Sequence, residues 1–233
     1  GSYRMDIDSR LSKDNRYIPY YAIDGSLVLS DIFPAITSDR LLNYLKIRVA
    51  HSLTGNASAL GGGSSNIADG AYTTDPTFQT APGFPFNGLG GFLLSTNIAN
   101  PNIKPEMIRE NEIGIEMTLF QNRISLVADV YKQKLEDGIV YTNTASSSGF
   151  TSSLINAAST ETRGFEMELK ATLIKSKAVT WIAGINYTHI QSKVLSINGD
   201  LQSINIGGNS YAVVNHPFPV VETGDWSRDP QGH

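Results

Sequence analysis

Residues 109–119, with the sequence RENEIGIEMTL, alternate between apolar and polar side chains. The apolar positions are Ile113, Ile115, Met117 and Leu119. The polar positions are Glu112, Gly114, Glu116 and Thr118. Successive side chains of a β-strand point to opposite faces, so this period of two predicts a strand with one apolar and one polar face.

The next segment repeats the pattern after a very short link. Phe120-Gln-Asn122 separates the first run from residues 123–131. The apolar positions of the second run are Ile124, Leu126, Ala128 and Val130, and its polar positions include Arg123, Ser125 and Asp129. Val127 and Tyr131 make the polar side imperfect. Two alternating runs joined by a short polar link predict an antiparallel hairpin.

The same alternation recurs along the chain. Residues 164–173 and 180–188 show it clearly, residues 45–53 follow it, and residues 3–7 and 17–29 show it more weakly. The sequence therefore predicts about seven strands.

Two further elements are less regular. An eighth strand is predicted to begin beyond residue 210. Helical spacing is confined to residues 38–46, around Leu41, Leu42 and Leu45, where a helical turn is predicted before the third strand.

The connections alternate between short and long. Short links are predicted at 120–122 and 174–178 with a modest one at 31–43, and long loops near 55–107, 137–160 and 193–233. Strands of about 11–13 residues exceed the usual length in soluble proteins and suit a tilted membrane crossing. Short periplasmic turns and long extracellular loops are typical of outer-membrane barrels. We predict an all-β fold, an antiparallel up-and-down transmembrane β-barrel fragment of seven to eight strands that forms a curved open sheet if isolated.

The composition excludes several other classes. The chain has 233 residues, 17% of them charged, a net charge of −4 and no cysteine. A mildly acidic chain without a basic stripe argues against a nucleic-acid partner, and disulfides and thiolate metal sites are excluded. No signal peptide begins the sequence, and both ends are interpreted as cuts within a longer barrel.

Catalytic and metal motifs are weak. The histidines lack metal-ligand spacing, and Gly61-Gly-Gly63 has no following helix, so a flexible loop is predicted there. Asp225, Asp229 and Gly232 resemble a calcium loop only faintly, and a plain turn is favoured because Arg228 and Pro230 interrupt them. We expect no enzyme activity, no metal and no cofactor.

Charged residues on the polar sides of the strands are predicted to face a water-filled lumen. They are Glu112, Glu116, Glu166, Glu168 and Lys170. Lys170, Arg163 and Arg123 are expected to neutralise the carboxylates. A charged lumen wall explains this row more simply than paired carboxylates for acid–base catalysis.

Aromatic residues fall into two groups. Phe120, Trp181 and Tyr187 lie near predicted strand ends, where aromatic girdles mark the membrane interfaces. Among Gly, Pro and Asn of the long loop lie Tyr72, Phe78, Phe84, Phe86 and Phe92. These rings are predicted either to contact a ligand or a partner or to form the loop's own small core.

Segments along the whole chain resemble the SusC/RagA family of TonB-linked outer-membrane proteins. The matching segments are Ser9-Arg-Leu11 with Asp14-Asn-Arg16, Leu45-Lys-Ile-Arg48 through Thr54-Gly-Asn56, Asn100-Pro-Asn-Ile-Lys-Pro-Glu106, Glu112-Ile-Gly-Ile-Glu116, Phe120-Gln-Asn-Arg123, Asp129-Val-Tyr-Lys132, Ser148-Gly-Phe150, Asn156-Ala157, Arg163-Gly-Phe-Glu166 and Asp225-Trp-Ser-Arg-Asp-Pro-Gln-Gly232. The sequence departs from the family at Ile18-Pro-Tyr20 and Asn215-His-Pro217.

The resemblance implies a place in a barrel of about 22 strands whose lumen holds a plug. Residues 1–233 would be part of that barrel domain, with neither plug domain nor signal peptide. The whole protein would lie in the Gram-negative outer membrane, contact its lipid, and import oligosaccharides or peptides. A SusD-like surface lipoprotein and TonB, the latter through an N-terminal part absent here, would be its partners.

Two alternatives remain at this point. A non-energised porin or adhesin barrel predicts open-channel conductance without TonB. A soluble extracellular β-sandwich that binds or hydrolyses glycans predicts apolar rows that face each other in a closed, dry core.

Overall fold

The computed structural model of the chain describes residues 1–38, 40–57, 60, 72, 74–198 and 201–224. The strands are β1 (Ser2–Ile7), β2 (Tyr17–Val28), β3 (Leu42–Asn56), β4 (Phe78–Thr80), β5 (Phe92–Leu94), β6 (Asn97–Ile98), β7 (Glu106–Leu119), β8 (Ile124–Asn143), β9 (Ser152–Lys175), β10 (Thr180–Ile197), β11 (Ser203–Gly207), β12 (Ser210–Val213) and β13 (Val220–Val221). The helical elements are α1 (Leu29–Ile32) and two short 3₁₀ turns, Pro34–Ile36 and Ser146–Ser148.

A long antiparallel sheet dominates the structure. Its strands pair in the order β1, β2, β3, β7, β8, β9 and β10, and the short β6 pairs in parallel with β9. The predicted antiparallel fold with about seven strands is therefore confirmed. Strands also occur from residue 210 onward, but within the described residues β12 and β13 form a separate small sheet with β11 and do not extend the long sheet.

The strands of this long sheet are called the wall strands. Short turns join them at one end of the sheet. Phe120, Gln121 and Asn122 all adopt positive φ angles between β7 and β8, and Asn122 N–H donates to Asn43 Oδ1 at 3.0 Å. Residues 176–179 join β9 to β10, with Ser176 N–H donating to the Val179 carbonyl at 2.9 Å. These turns hold the neighbouring strands in register.

The helical turn predicted at 38–46 is wrong. The helical segments lie earlier, at Leu29–Ile32 and Pro34–Ile36, where Pro34 begins the 3₁₀ turn. Proline suits the first position of a helical turn because its fixed φ matches and its missing N–H is not needed there. Leu42–Asn56 is instead strand, since its backbone pairs with β2 and β7.

The structure corrects the predicted long loops. Residues 137–160 are strand except for 144–151, because β8 has 20 residues and β9 has 24. Irregular pairing between Leu135 and Ile139 adds one unpaired residue to β8 and one to β9. A bulge of this kind reverses the phase of the alternation, so the pattern seemed to end there. The other two loops shorten likewise, since β3 reaches Asn56, β7 begins at Glu106 and β10 reaches Ile197.

The apolar side chains of the wall form rows across one face of the sheet. Cross-strand pairing aligns Val49, Ile113, Val130 and Phe165 in one row, and Ile47, Ile115, Ala128, Met167 and Tyr187 in the next. Ile113 is 62% exposed and Val130 is 58% exposed. An uncovered apolar face of this kind is the opposite of the dry interior that a soluble sandwich would require.

The band of exposed apolar residues shifts along the strands towards β1. The row that contains Val49 reaches β2 at Gly25. Exposed Ile7 on β1 pairs with Tyr17, which lies eight positions further towards the long-loop end of β2. Barrel strands tilt relative to the barrel axis, so a band that is level in the membrane must move along the strand ladder in this way.

Buried side chains concentrate beyond this band, where the end of β8 and the start of β9 extend past the other strands. This part of the sheet, around residues 138–158, is called the tip. One core contains Leu11, Ile18, Ala57, Leu60, Ile103, Ile139 and Leu154. A second contains Ala157, Val194, Ile197, Ile204 and Ala212, with Val140 and Ile155 packed against it. Ile139 and Val140 are consecutive on one strand and Leu154 and Ile155 on the other, so the two cores cover opposite faces of the tip.

Asn156 links the segment before β7, at Lys104, to the β8–β9 tip. Its side-chain amide donates to the carbonyls of Lys104 at 2.9 Å and Asp137 at 2.7 Å, and its oxygen accepts the Lys104 N–H at 2.9 Å. A single side chain thereby satisfies backbone groups of the segment before β7 and of the β8 bulge.

Candidate functional site

A network of ion pairs lies on the polar face of the wall. Arg48 Nη1 donates to Glu116 Oε1 at 2.8 Å, and Arg48 Nη2 donates to Asp129 Oδ1 at 2.5 Å. Lys46 Nζ lies 3.3 Å from the same Glu116 oxygen. The Arg48 side chain is 33% exposed and Asp129 is 19% exposed. The network joins β3, β7 and β8 and presents fixed charges to the space beside the sheet.

Gly114 makes room for this network. The backbone pairing places Gly114 directly between Arg48 on β3 and Asp129 on β8. A Cβ atom on Gly114 would lie 2.5 Å from Arg48 Nε and closer still to Asp129 Oδ1. The missing side chain therefore lets the guanidinium reach across β7 to the carboxylate.

The charges predicted to face a lumen share the face that carries Arg48. Alternation and register place these on it: Glu112, Glu116, Glu166, Glu168 and Lys170. Lys170 forms an ion pair with Glu168, two positions away on β9. Their position towards a lumen remains a prediction.

The expected neutralising partners are partly wrong. Arg163 lies on the opposite face, where it pairs with Glu161 at 2.7 Å, and Arg123 lies at the short turn before β8. The cations that neutralise Glu116 are Lys46 and Arg48. Alternation at 45–53 already assigned both to a polar face. Only the pairing of β3 with β7 brings them to Glu116.

The predicted loop aromatics are mostly exposed. Their exposed fractions are 63% for Tyr72, 70% for Phe78, 43% for Phe84, 65% for Phe86 and 71% for Phe92. Phe84 packs on Gly91, where a Cβ atom would lie 2.5 Å from the ring. Phe78 and Phe92 lie on the two-stranded β4–β5 sheet. Such exposure favours a contact surface over a small core of the loop itself, although the contact stays a prediction.

The predicted interface aromatics lie on or beside the apolar face. Trp181 and Tyr187 share this face of β10, six residues or about 20 Å apart along the strand. Both are about half exposed, and Tyr187 lies 6.1 Å from the Phe165 ring. Phe120 lies in the short β7–β8 turn. Their place at the membrane surfaces remains a prediction.

Metal and catalytic sites are sparse. Within the described ranges, no group of three or more His, Asp or Glu side chains could hold a metal ion. The glycine run at 61–63 and the weak calcium pattern at 225–232 lie outside the described residues. A helix with the length and apolarity to cross a membrane is not found in the part of the chain that the structure describes.

A comparison with known families identifies a β-barrel family, in agreement with the exposed apolar rows and the polar face of the wall. The family described as TonB dependent receptor-like, beta-barrel, matches residues 24–228. The chain belongs to this family. TonB-dependent receptors are Gram-negative outer-membrane barrels, so the predictions of a TonB-linked barrel and of this location are confirmed.

Curated TonB-dependent receptors are similar over most of the chain. Receptor P39 of Formosa agariphila is 26% identical over 208 residues, which cover 89% of this chain and 18% of the relative. Receptor P3 of the same organism is 25% identical over 200 residues, 84% of this chain and 19% of the relative. The chain thus spans about a fifth of these TonB-dependent receptors, which are receptors by name and not enzymes.

Solved structures of a peptide importer share the fold. The RagAB peptide importer in its closed-closed state superimposes with a TM-score of 0.80 at 20% identity, over 94% of this chain and 23% of that chain. The same importer in its open-open state gives a TM-score of 0.74 at 21% identity, over 91% and 22% of the two chains. The likeness establishes the course of the wall strands.

Proposed function

We propose that the chain forms part of the wall and the extracellular loops of a TonB-dependent importer of oligosaccharides or peptides. The single observation that carries the proposal is the two-faced wall of a TonB-dependent receptor, with exposed apolar rows on one face and the Arg48 network on the other. Lipid covers the first face, and an aqueous lumen solvates the second.

The polar face offers mainly hydrogen-bond acceptors to the cargo. Arg48, Lys46 and Lys170 each pair with a carboxylate, and Glu112 and Glu166 add negative charge to the same face. Sugar hydroxyls and peptide groups can both exchange hydrogen bonds with such a surface. The fold shared with a peptide importer supports the peptide alternative.

The exposed loop aromatics fit a role in capture. The β4–β5 segment presents Phe78 and Phe92 side by side with Leu94, and Phe86 lies in the connection between the strands. Aromatic rings stack on sugar rings and pack on apolar side chains. We propose that they contact the cargo or a SusD-like surface lipoprotein that closes over the barrel.

Energised import predicts that uptake depends on TonB. Cells that produce the full-length protein are expected to accumulate a labelled oligosaccharide or oligopeptide, and accumulation should fall to background when TonB is removed. The measurement compares uptake of both cargo classes with and without TonB. Uptake that persists without TonB, together with open-channel conductance in planar bilayers, would instead identify a porin.

Removal of two loop rings is expected to weaken capture. Phe86→Ala/Phe92→Ala in the full-length protein should lower the apparent affinity for cargo, or for the lipoprotein, roughly fivefold or more, because each ring contributes about 0.5–1.5 kcal/mol beyond its buried area. Leu89→Ala is the matched control, since Leu89 is 70% exposed in the same connection but carries no ring. Equal losses in both variants would show that the rings have no special role.

A further inference from the structure

Charged side chains replace apolar ones abruptly on the outward face of the wall. On β8, Val130 is followed on the same face by Lys132 and Lys134, and on β9 the row next to Phe165 contains Arg163. The change occurs within one row. The charged residues lie on the side of the apolar rows that is nearer to the long loops. The apolar band therefore has a sharp upper edge.

The charges beyond this edge form a cationic collar. It consists of Arg109, Lys132, Lys134, Arg163 and Lys193 with the carboxylates Glu136 and Glu161. Glu161 lies 2.8 Å from Lys132 Nζ and 2.7 Å from Arg163 Nη2. Glu136 lies 2.8 Å from Lys134 Nζ and 3.5 Å from Arg109 Nη2. Five cations against two carboxylates leave three positive charges in excess.

Like charges meet directly across the strands of the collar. Lys132 is the cross-strand partner of Arg163, and Lys134 is the partner of Arg109. Like charges at directly opposite positions of an antiparallel pair repel each other. The Lys132 and Arg163 side chains remain 51% and 66% exposed, so both can reach an external anion. Glu161 already bridges this pair, and an external anion would offset the positive charge of the collar that remains.

The collar lies at the depth of lipid headgroups. The short turns at the other end of the wall are typical of the periplasmic side, which places the collar at the outer leaflet. Lys132 and Lys134 lie two and four residues beyond Val130, and each two-residue step spans about 7 Å along the strand. The headgroup layer on each side of the hydrocarbon core is about 5–8 Å thick.

We propose that the cationic collar binds the phosphate groups of outer-leaflet lipids whose acyl chains cover the apolar band. The lysines and arginines supply charge and hydrogen-bond donors for the phosphate oxygens. The occupant is a phosphorylated lipid and not free phosphate, because the collar is continuous with the surface that holds acyl chains. The wall thereby fixes its height in the membrane through specific lipid contacts.

The test measures lipid binding to the full-length protein in a non-ionic detergent. Native mass spectrometry would count bound molecules during titrations with phosphorylated lipid A, with dephosphorylated lipid A and with inorganic phosphate alone. The variant Lys132→Gln/Lys134→Gln removes two collar charges. The control Lys175→Gln/Lys177→Gln removes two lysines at the opposite end of β9.

Phosphorylated lipid A should bind the unaltered protein and the control alike. Its affinity for the collar variant should fall about 25-fold, or about fivefold for each charge removed. A loss of less than twofold would overturn the proposal, as would equal binding of the dephosphorylated lipid. Full competition by millimolar inorganic phosphate would show a simple anion site instead. Heat-modified electrophoretic mobility verifies that each variant is folded.

Discussion

The full-length protein with Val130→Arg is expected to lose about 1–2 kcal/mol of folding free energy in a lipid bilayer, because Val130 lies in the uppermost apolar row and the midplane cost of about 2–4 kcal/mol falls towards the interface. Val130 lies between Ile113 and Phe165 in the apolar row and is 58% exposed on that face. Arginine there would place a charge in the hydrocarbon layer with no carboxylate in the same row. Reversible urea unfolding of the protein from vesicles, followed by Trp fluorescence, measures the loss.

Val127→Arg is the matched control for this prediction. Val127 lies on the same strand but on the polar face, where its cross-strand partners are Glu116 and Glu168. An arginine at this position meets carboxylates and water, so its cost should stay below about 1 kcal/mol. A larger loss for Val127→Arg than for Val130→Arg would show that lipid and lumen are assigned to the wrong faces.

Gly114→Val is expected to destabilise the wall by about 1–3 kcal/mol. The new side chain would occupy the space through which Arg48 reaches Asp129 and would separate the two charges. Loss of a buried ion pair costs about 3–5 kcal/mol, but these side chains are partly exposed and water compensates part of the loss. The same unfolding measurement applies, and high salt should reduce the difference from the unaltered protein.

Gly184→Val distinguishes this mechanism from a general effect of strand glycines. Gly184 lies on the same face of β10, but a Cβ atom there would be 3.6 Å from its nearest neighbours, the Leu169 carbonyl oxygen and Lys170 Cγ. Valine favours strands, so Gly184→Val should be neutral or slightly stabilising. Comparable destabilisation by the two variants would show that the Arg48 network is not the cause.

The wall strands were predictable because one face of each meets an apolar environment and the other a polar one. This alternation is local, and it identified β7, β9 and β10 from single segments. The upper halves of β8 and β9 were missed for two reasons. The bulge near Asp137 reverses the phase, and the Ser, Thr and Ala residues after it show little contrast between faces.

The residues of the Arg48 network were predictable only where the alternation within a single strand assigns them to the polar face. Glu112 and Glu116 were assigned to a polar face from their own strand. Their cationic neighbour Arg48 comes from β3, which is separated from β7 by about 50 residues of connection. No local pattern states which distant strands pair, so the network around Gly114 emerged only from the three-dimensional register.

The two cores that enclose the β8–β9 tip give the chain two kinds of stability. Below the tip, the wall relies on the surrounding lipid, because its apolar rows are exposed in the part of the chain that the structure describes. At the tip, Ile103, Leu154 and Val194 are shielded by the chain itself, as in a water-soluble protein. A change of detergent or bilayer thickness should therefore strain the wall while the outward end keeps its shape for whatever binds there.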